Sequence, residues 1–142
     1  MIDLSRPDPS EVAPFYQGYL SLIKSNNLPN ILHAQQQQLH EQVASLTEAQ
    51  AAYAYADGKW QIKELLGHLI DTERIFVYRI LAFARGEQQT LPGYDENAYM
   101  LPAGFASRPL ATLLTEYDAV RAATLAFFEG QHDDAWVRSG SA

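Results

Sequence analysis

Glu64, His68 and Thr72 recur at four-residue intervals, with Asp71 between the last two. On an α-helix these four residues fall along one edge. An imidazole there can ligate a divalent metal or carry a proton, and Asp71 can accept its proton or ligate beside it. One imidazole alone holds a divalent ion weakly, since catalytic sites use about three protein ligands and an open position for water. The remaining histidines are His33, His40 and His132, and none has the spacing to pair with His68. His33 and His40, seven apart, share a helix face, but the glutamines between them make a solvated flank the plainer reading. Glu64 follows Gln61 by three and serves equally as a capping partner or as an acid facing the helix dipole. Glu73 falls near the middle of an apolar arc, level with Leu69 and Ile80. A buried carboxylate needs a cation: Arg79 or Arg121 is the expected partner, and the alternative is an arc partly open to solvent there. Arg79 also lies on the His68 strip, where it can face a pocket and bind an anion.

The element that must carry these side chains spans residues 60–85. Its Leu65, Leu66, Leu69, Ile70, Phe76, Val77, Ile80, Leu81 and Ala84 recur at helical spacing, and Gly86 is the stop signal. Their arc of about 160° is too wide for a surface helix, so this helix should be central, with neighbours on more than one side. Two further long periodic segments, at about 29–46 and 108–129, accompany it. Leu32, Leu39, Val43 and Leu46 give the first a narrow stripe; Leu110, Leu113, Leu114, Tyr117, Val120, Leu125 and Phe128 give the second a broad one. Residues 1–10 should be an extended arm and 10–23 a short helix with Pro14 in its first turns. Thr47 and Gln50 have the form of a capping box, Asp95 can cap a short helix through Tyr99, and Ser107 is a plausible cap for the helix that holds Pro109 in its first turn. No strand pattern is present. A four-helix bundle needs one more long helix than these three. The groove left open should expose apolar area on the order of several hundred Å², so self-association, by pairing of like faces or exchange of the N-terminal helix, is expected.

The chain of 142 residues is one domain's worth, residues 1–142, with 47% hydrophobic and 19% charged residues. A net charge of −7 and scattered basic residues argue against nucleic-acid binding. The absence of cysteine excludes disulfides, thiolate ligands and a cysteine nucleophile from this chain. No apolar run approaches the ~20 residues of a membrane span, and the first residues lack the features of a signal peptide. A cytoplasmic protein with no membrane partner is the expectation.

Trp60, Glu64, the run Gly67-His68-Leu69-Ile70-Asp71-Thr72-Glu73-Arg74, Tyr78-Arg79, Ala84-Arg85-Gly86 and Leu91-Pro92-Gly93-Tyr94-Asp95 resemble the DinB-like superfamily of metal-binding helical bundles, which includes bacillithiol-transferase-like and mycothiol-dependent isomerase-like members. Weaker similarity at Arg6-Pro7, Glu11 and Phe105…Arg108-Pro109-Leu110 extends it over nearly the whole chain. The resemblance implies an all-α four-helix bundle and three histidines holding zinc or nickel, of which His68 is one. The other two would form a His-x-x-x-His pair on a late helix that this sequence lacks, so the last core helix is expected to be missing or incomplete, leaving the C-terminal end of the bundle incomplete. It further implies a metal-dependent hydrolase or a transferase using a low-molecular-weight thiol, acting on a small molecule, and commonly a homodimer. Asp71, Thr72, Glu73 and Arg79 are the pocket candidates around His68. The alternative is a metal-free, non-catalytic bundle serving as a binding or structural module.

Overall fold

The computed structural model describes residues 7–142; the first six residues of the expected arm lie outside the described residues. Among the described residues there are α-helices α1 (Pro14–Leu22), α2 (Leu28–Val43), α3 (Glu48–Ala51), α4 (Ile62–Ala84), α5 (Glu96–Ala103) and α6 (Leu110–Glu129). Three 3-10 turns, Pro9–Glu11, Phe105–Ser107 and Asp133–Val137, complete them, and no strand occurs. The expected all-α class is what folds. The described part of the arm is not simply extended: Asp8 accepts from the Ser10 N–H at 2.8 Å while Glu11 accepts from the Asp8 N–H at 2.7 Å, which closes one helical turn.

α4 starts where the Gln61 N–H donates to the Glu64 carboxylate at 2.8 Å and the Ile62 N–H reaches the Tyr53 carbonyl at 3.1 Å. Glu64 is thus a capping residue. The helix ends at Arg85, and Gly86 takes the left-handed conformation with φ 84°, which an L side chain adopts at a cost. One face of α4 buries Leu66 and Ile70 among Met100, Phe105, Leu110, Leu113, Leu114 and Tyr117. Each such aliphatic side chain contributes about 1.5–3 kcal/mol relative to exposure. Gly67 is required by packing: a Cβ there would lie 2.2 Å from Cγ of the Phe105 ring.

Of two expected caps, one forms and one does not. Asp95 does cap α5, accepting from the Asn97 and Ala98 N–H groups at 3.0 Å, but the helix runs past Tyr99 and through Pro102 to Ala103 before Gly104 ends it with φ 65°. Proline is tolerated so near the end because only one last-turn hydrogen bond is forfeited. Ser107 does not cap α6. It closes the preceding 3-10 turn, its hydroxyl donating to the Gly104 carbonyl at 2.8 Å, and Pro109 occupies the cap position. The free Leu110 N–H is satisfied instead by Glu48 of α3 at 2.8 Å, and Lys63 reaches the same carboxylate at 3.3 Å. That backbone hydrogen bond from Leu110 holds the Glu48 carboxyl below its ordinary range.

The three long helices α2, α4 and α6 enclose the core, with α6 packed against both of the others. Between α2 and α4 lies a groove of about 530 Å³ walled by Leu32, Leu39, Leu69, Phe76 and Ile80 and floored by Tyr117, Arg121 and Phe128. Leu69 and Phe76 remain 38% and 48% exposed, so the groove side of the wide apolar arc of α4 is open, while α6, α5, α3 and the 3-10 turns at Phe105 and Asp133 pack against the helix. α1 does not seat there as a fourth helix: none of its residues is buried, and Phe15, Tyr16, Tyr19 and Leu22 are exposed.

Candidate functional site

Half-buried His68 projects from the second turn of α4. The indole of Trp60, on the segment leading into the helix, lies against it with ring centroids 5.0 Å apart. Nδ1 is 3.3 Å from the Thr72 hydroxyl, the i,i+4 neighbour, and Thr72 is 3.4 Å from the Tyr94 hydroxyl. This series of contacts engages Nδ1 and leaves Nε2 as the nitrogen with no hydrogen bond among the described residues. A metal-ligating imidazole is commonly fixed in this way through its other nitrogen. Burial raises the Tyr94 phenol above its usual range, so at neutral pH it is a neutral hydroxyl that holds Thr72 in place.

Asp71, one turn from His68, is half-buried. Burial raises its carboxyl above the ordinary range, opposed by the charge of Arg74 and of His68 and assisted by Glu116. Arg74 lies 3.7 Å from Asp71 and 2.6 Å from Glu116 of α6, and Arg108 approaches the same Glu116 at 2.5 Å. Burial alone would raise Glu116, but the hydrogen bonds and charges of the two guanidiniums hold it lower. The strip beside His68 is therefore anchored to α6 by ions on its outer side.

Glu73 does not join His68. It meets Arg121 of α6, whose Nε lies 3.0 and 3.1 Å from its two oxygens and whose Nη2 lies 2.8 Å away. Arg121 also donates to the Leu32 carbonyl of α2 at 2.6 Å. The expected cation is present, and it is Arg121 rather than Arg79. This pair joins the three long helices at the groove floor. Arg79 donates to the Pro92 carbonyl at 3.0 Å, which pins the loop that carries Tyr94.

The other imidazoles lie apart from this cluster or in water. His33 and His132 are exposed. His40 is not the solvated residue its neighbours suggest: its Nε2 is 2.8 Å from Asp118, which also accepts from Gln36 at 2.6 Å. Against burial, which raises it, these partners bring the Asp118 carboxyl below its ordinary range. Among the described residues no three histidine, aspartate or glutamate side chains come together as a metal site. The surroundings of His68 fit a ligand; the number of donors beside it does not complete a centre. Trp60 and Tyr94 are the contributors that spacing alone does not reveal, since both act from outside the helix.

Residues 31–142 match the profile of the DinB superfamily. Among solved structures the protein is similar to YfiT from Bacillus subtilis, described as a probable metal-dependent hydrolase with an unusual four-helix bundle topology. The TM-score is 0.71 at 18% identity, and the match covers 96% of this chain and 73% of that one. No curated protein matches.

Proposed function

Because the chain belongs to the DinB superfamily, we propose that it is a metal-dependent enzyme, a hydrolase or a transferase that takes a small thiol as co-substrate, with His68 as one metal ligand. The observation that carries this reading is the placement of His68, half-buried against Trp60, with Nδ1 held by Thr72 and Nε2 uncommitted. The similarity to YfiT, described as a probable metal-dependent hydrolase, supports it. The remaining ligands must come from beyond the described residues or from another subunit, and a homodimer is part of the proposal.

A divalent ion at such a site supplies Lewis acidity and lowers the pKa of a bound water or thiol. The protein's own residues do the rest. Thr72 and Tyr94 fix the imidazole, Trp60 shields it from bulk water, and Asp71 places a carboxylate within one turn of it. Asp71 would take up or release a proton close to the reacting group. Glu73 and Arg121 keep α4 in register with α6 and α2.

The reading is tested by assaying ester hydrolysis and thiol transfer after chelation and after return of zinc, nickel or manganese. Activity restored by metal in the wild type and absent from His68→Ala supports the proposal. Activity indifferent to both overturns it.

A further inference from the structure

A second cavity, of about 510 Å³, opens beside the start of α4 and is lined by Tyr53, Tyr55, Lys59, Trp60, Gln61 and Leu65, with Asn97 of α5 at its edge. Nothing in the fold accounts for its composition. Tyr53 and Tyr55 are 62% and 72% exposed, and Leu65 is 49% exposed, so three large side chains present apolar surface to a hollow. Lys59 makes no ion pair among the described residues.

The cavity borders the His68 cluster at Trp60. Trp60 belongs to both, lining the cavity and lying 5.0 Å from His68. The segment entering α5 likewise serves both, with Tyr94 bonded to Thr72 and Asn97 at the cavity edge.

We propose that this cavity seats the non-reacting part of the substrate, a flat aromatic group that carries an anionic substituent. Aromatic walls select a planar ring, and Lys59 selects the anion. The assignment rests on the reading of His68 as the reactive centre, but the binding can be measured apart from it.

The test uses the chelator-treated protein and 2-naphthoate, which has ring and anion, beside 2-naphthol without the anion and cyclohexanecarboxylate without the planar ring. Calorimetry gives affinity, and amide and indole NMR shifts give the location. The expected result is saturable binding of 2-naphthoate with shifts at Trp60, Tyr53 and Asn97, and weaker binding of the other two probes. Tyr55→Ala should weaken it about three- to tenfold. Lys59→Met should weaken it about two- to fivefold and leave 2-naphthol unchanged. No saturable shift at Trp60 up to millimolar probe, shifts confined to the groove between α2 and α4, or equal affinity in both variants would overturn the proposal. Because the protein is metal-free throughout, failure here is distinct from failure to find a metal.

Discussion

Replacing Gly67 by alanine should destabilise the fold through one contact. The added Cβ would lie 2.2, 2.3 and 2.5 Å from Cγ, Cδ2 and Cδ1 of Phe105, whereas carbon atoms settle at about 3.5–4.0 Å. The ring must retreat by roughly 1.3 Å, yet Phe105 is only 5% exposed and packed among Met100, Leu110 and Leu113. Its backbone follows Gly104, already in the left-handed region, so the turn has little freedom to yield. Overpacking of this kind costs about 1–3 kcal/mol. Against it, alanine in a helix interior gains about 1 kcal/mol over glycine. The clash outweighs the gain over most of that range, and a net loss of up to about 2 kcal/mol should lower Tm by up to roughly 8 °C for a protein of this size. Calorimetric melts of the single and double variants check the reasoning. Phe105→Ala alone should cost about 3–5 kcal/mol, but in that background Gly67→Ala should be neutral or stabilising. If Gly67→Ala raises Tm in the wild type, or costs as much without the ring as with it, the close approach of α4 to Phe105 is not what holds this layer together.

Glu73→Ala should destabilise by about 3–5 kcal/mol, because it leaves Arg121 buried and unpaired; Glu73→Leu with Arg121→Met should recover much of that in urea melts. Glu116 has a lowered folded-state pKa, so its contribution is present above the unfolded value and is lost as pH falls through the folded one. Glu116→Gln should therefore flatten the stability profile below pH ~4.5 by about 1 kcal/mol or less after solvent screening, and an unchanged acid limb would contradict this. Glu48→Ala should speed hydrogen exchange at the Leu110 amide and lower Tm, since among the described residues no other carboxylate or hydroxyl caps α6; unchanged exchange there would show that the cap is dispensable. The uncovered groove and the aromatic face of α1 predict that the 142-residue protein self-associates, and a monodisperse monomer in solution scattering would contradict that.

The long helices were readable because their burial follows local periodicity: α4 and α6 begin and end within a few residues of the expected limits. Thr47 and Gln50 close their box as the local motif dictates. Glu73 was readable as needing a cation because its place on the apolar arc left an opening of the arc to solvent as the alternative. What escaped the sequence depends on residues far apart along it. Glu48 caps a helix 62 residues away, and His40 finds Asp118 across 78. No spacing rule encodes either contact. Ser107 had the right chemistry for a cap, but the 3-10 turn spent its hydroxyl first. At the site, His68 and Thr72 were visible as an i,i+4 pair, while Tyr94 joins them from a loop positioned only by tertiary packing.

The proposed function turns on Nε2 of His68 meeting a metal. Elemental analysis of the protein purified as the cell makes it, beside His68→Ala handled identically, addresses this directly. The account predicts close to one zinc, nickel or manganese ion per protomer in the first and loss of that ion in the second. A metal-free wild type, or a full complement retained without the imidazole, would contradict it.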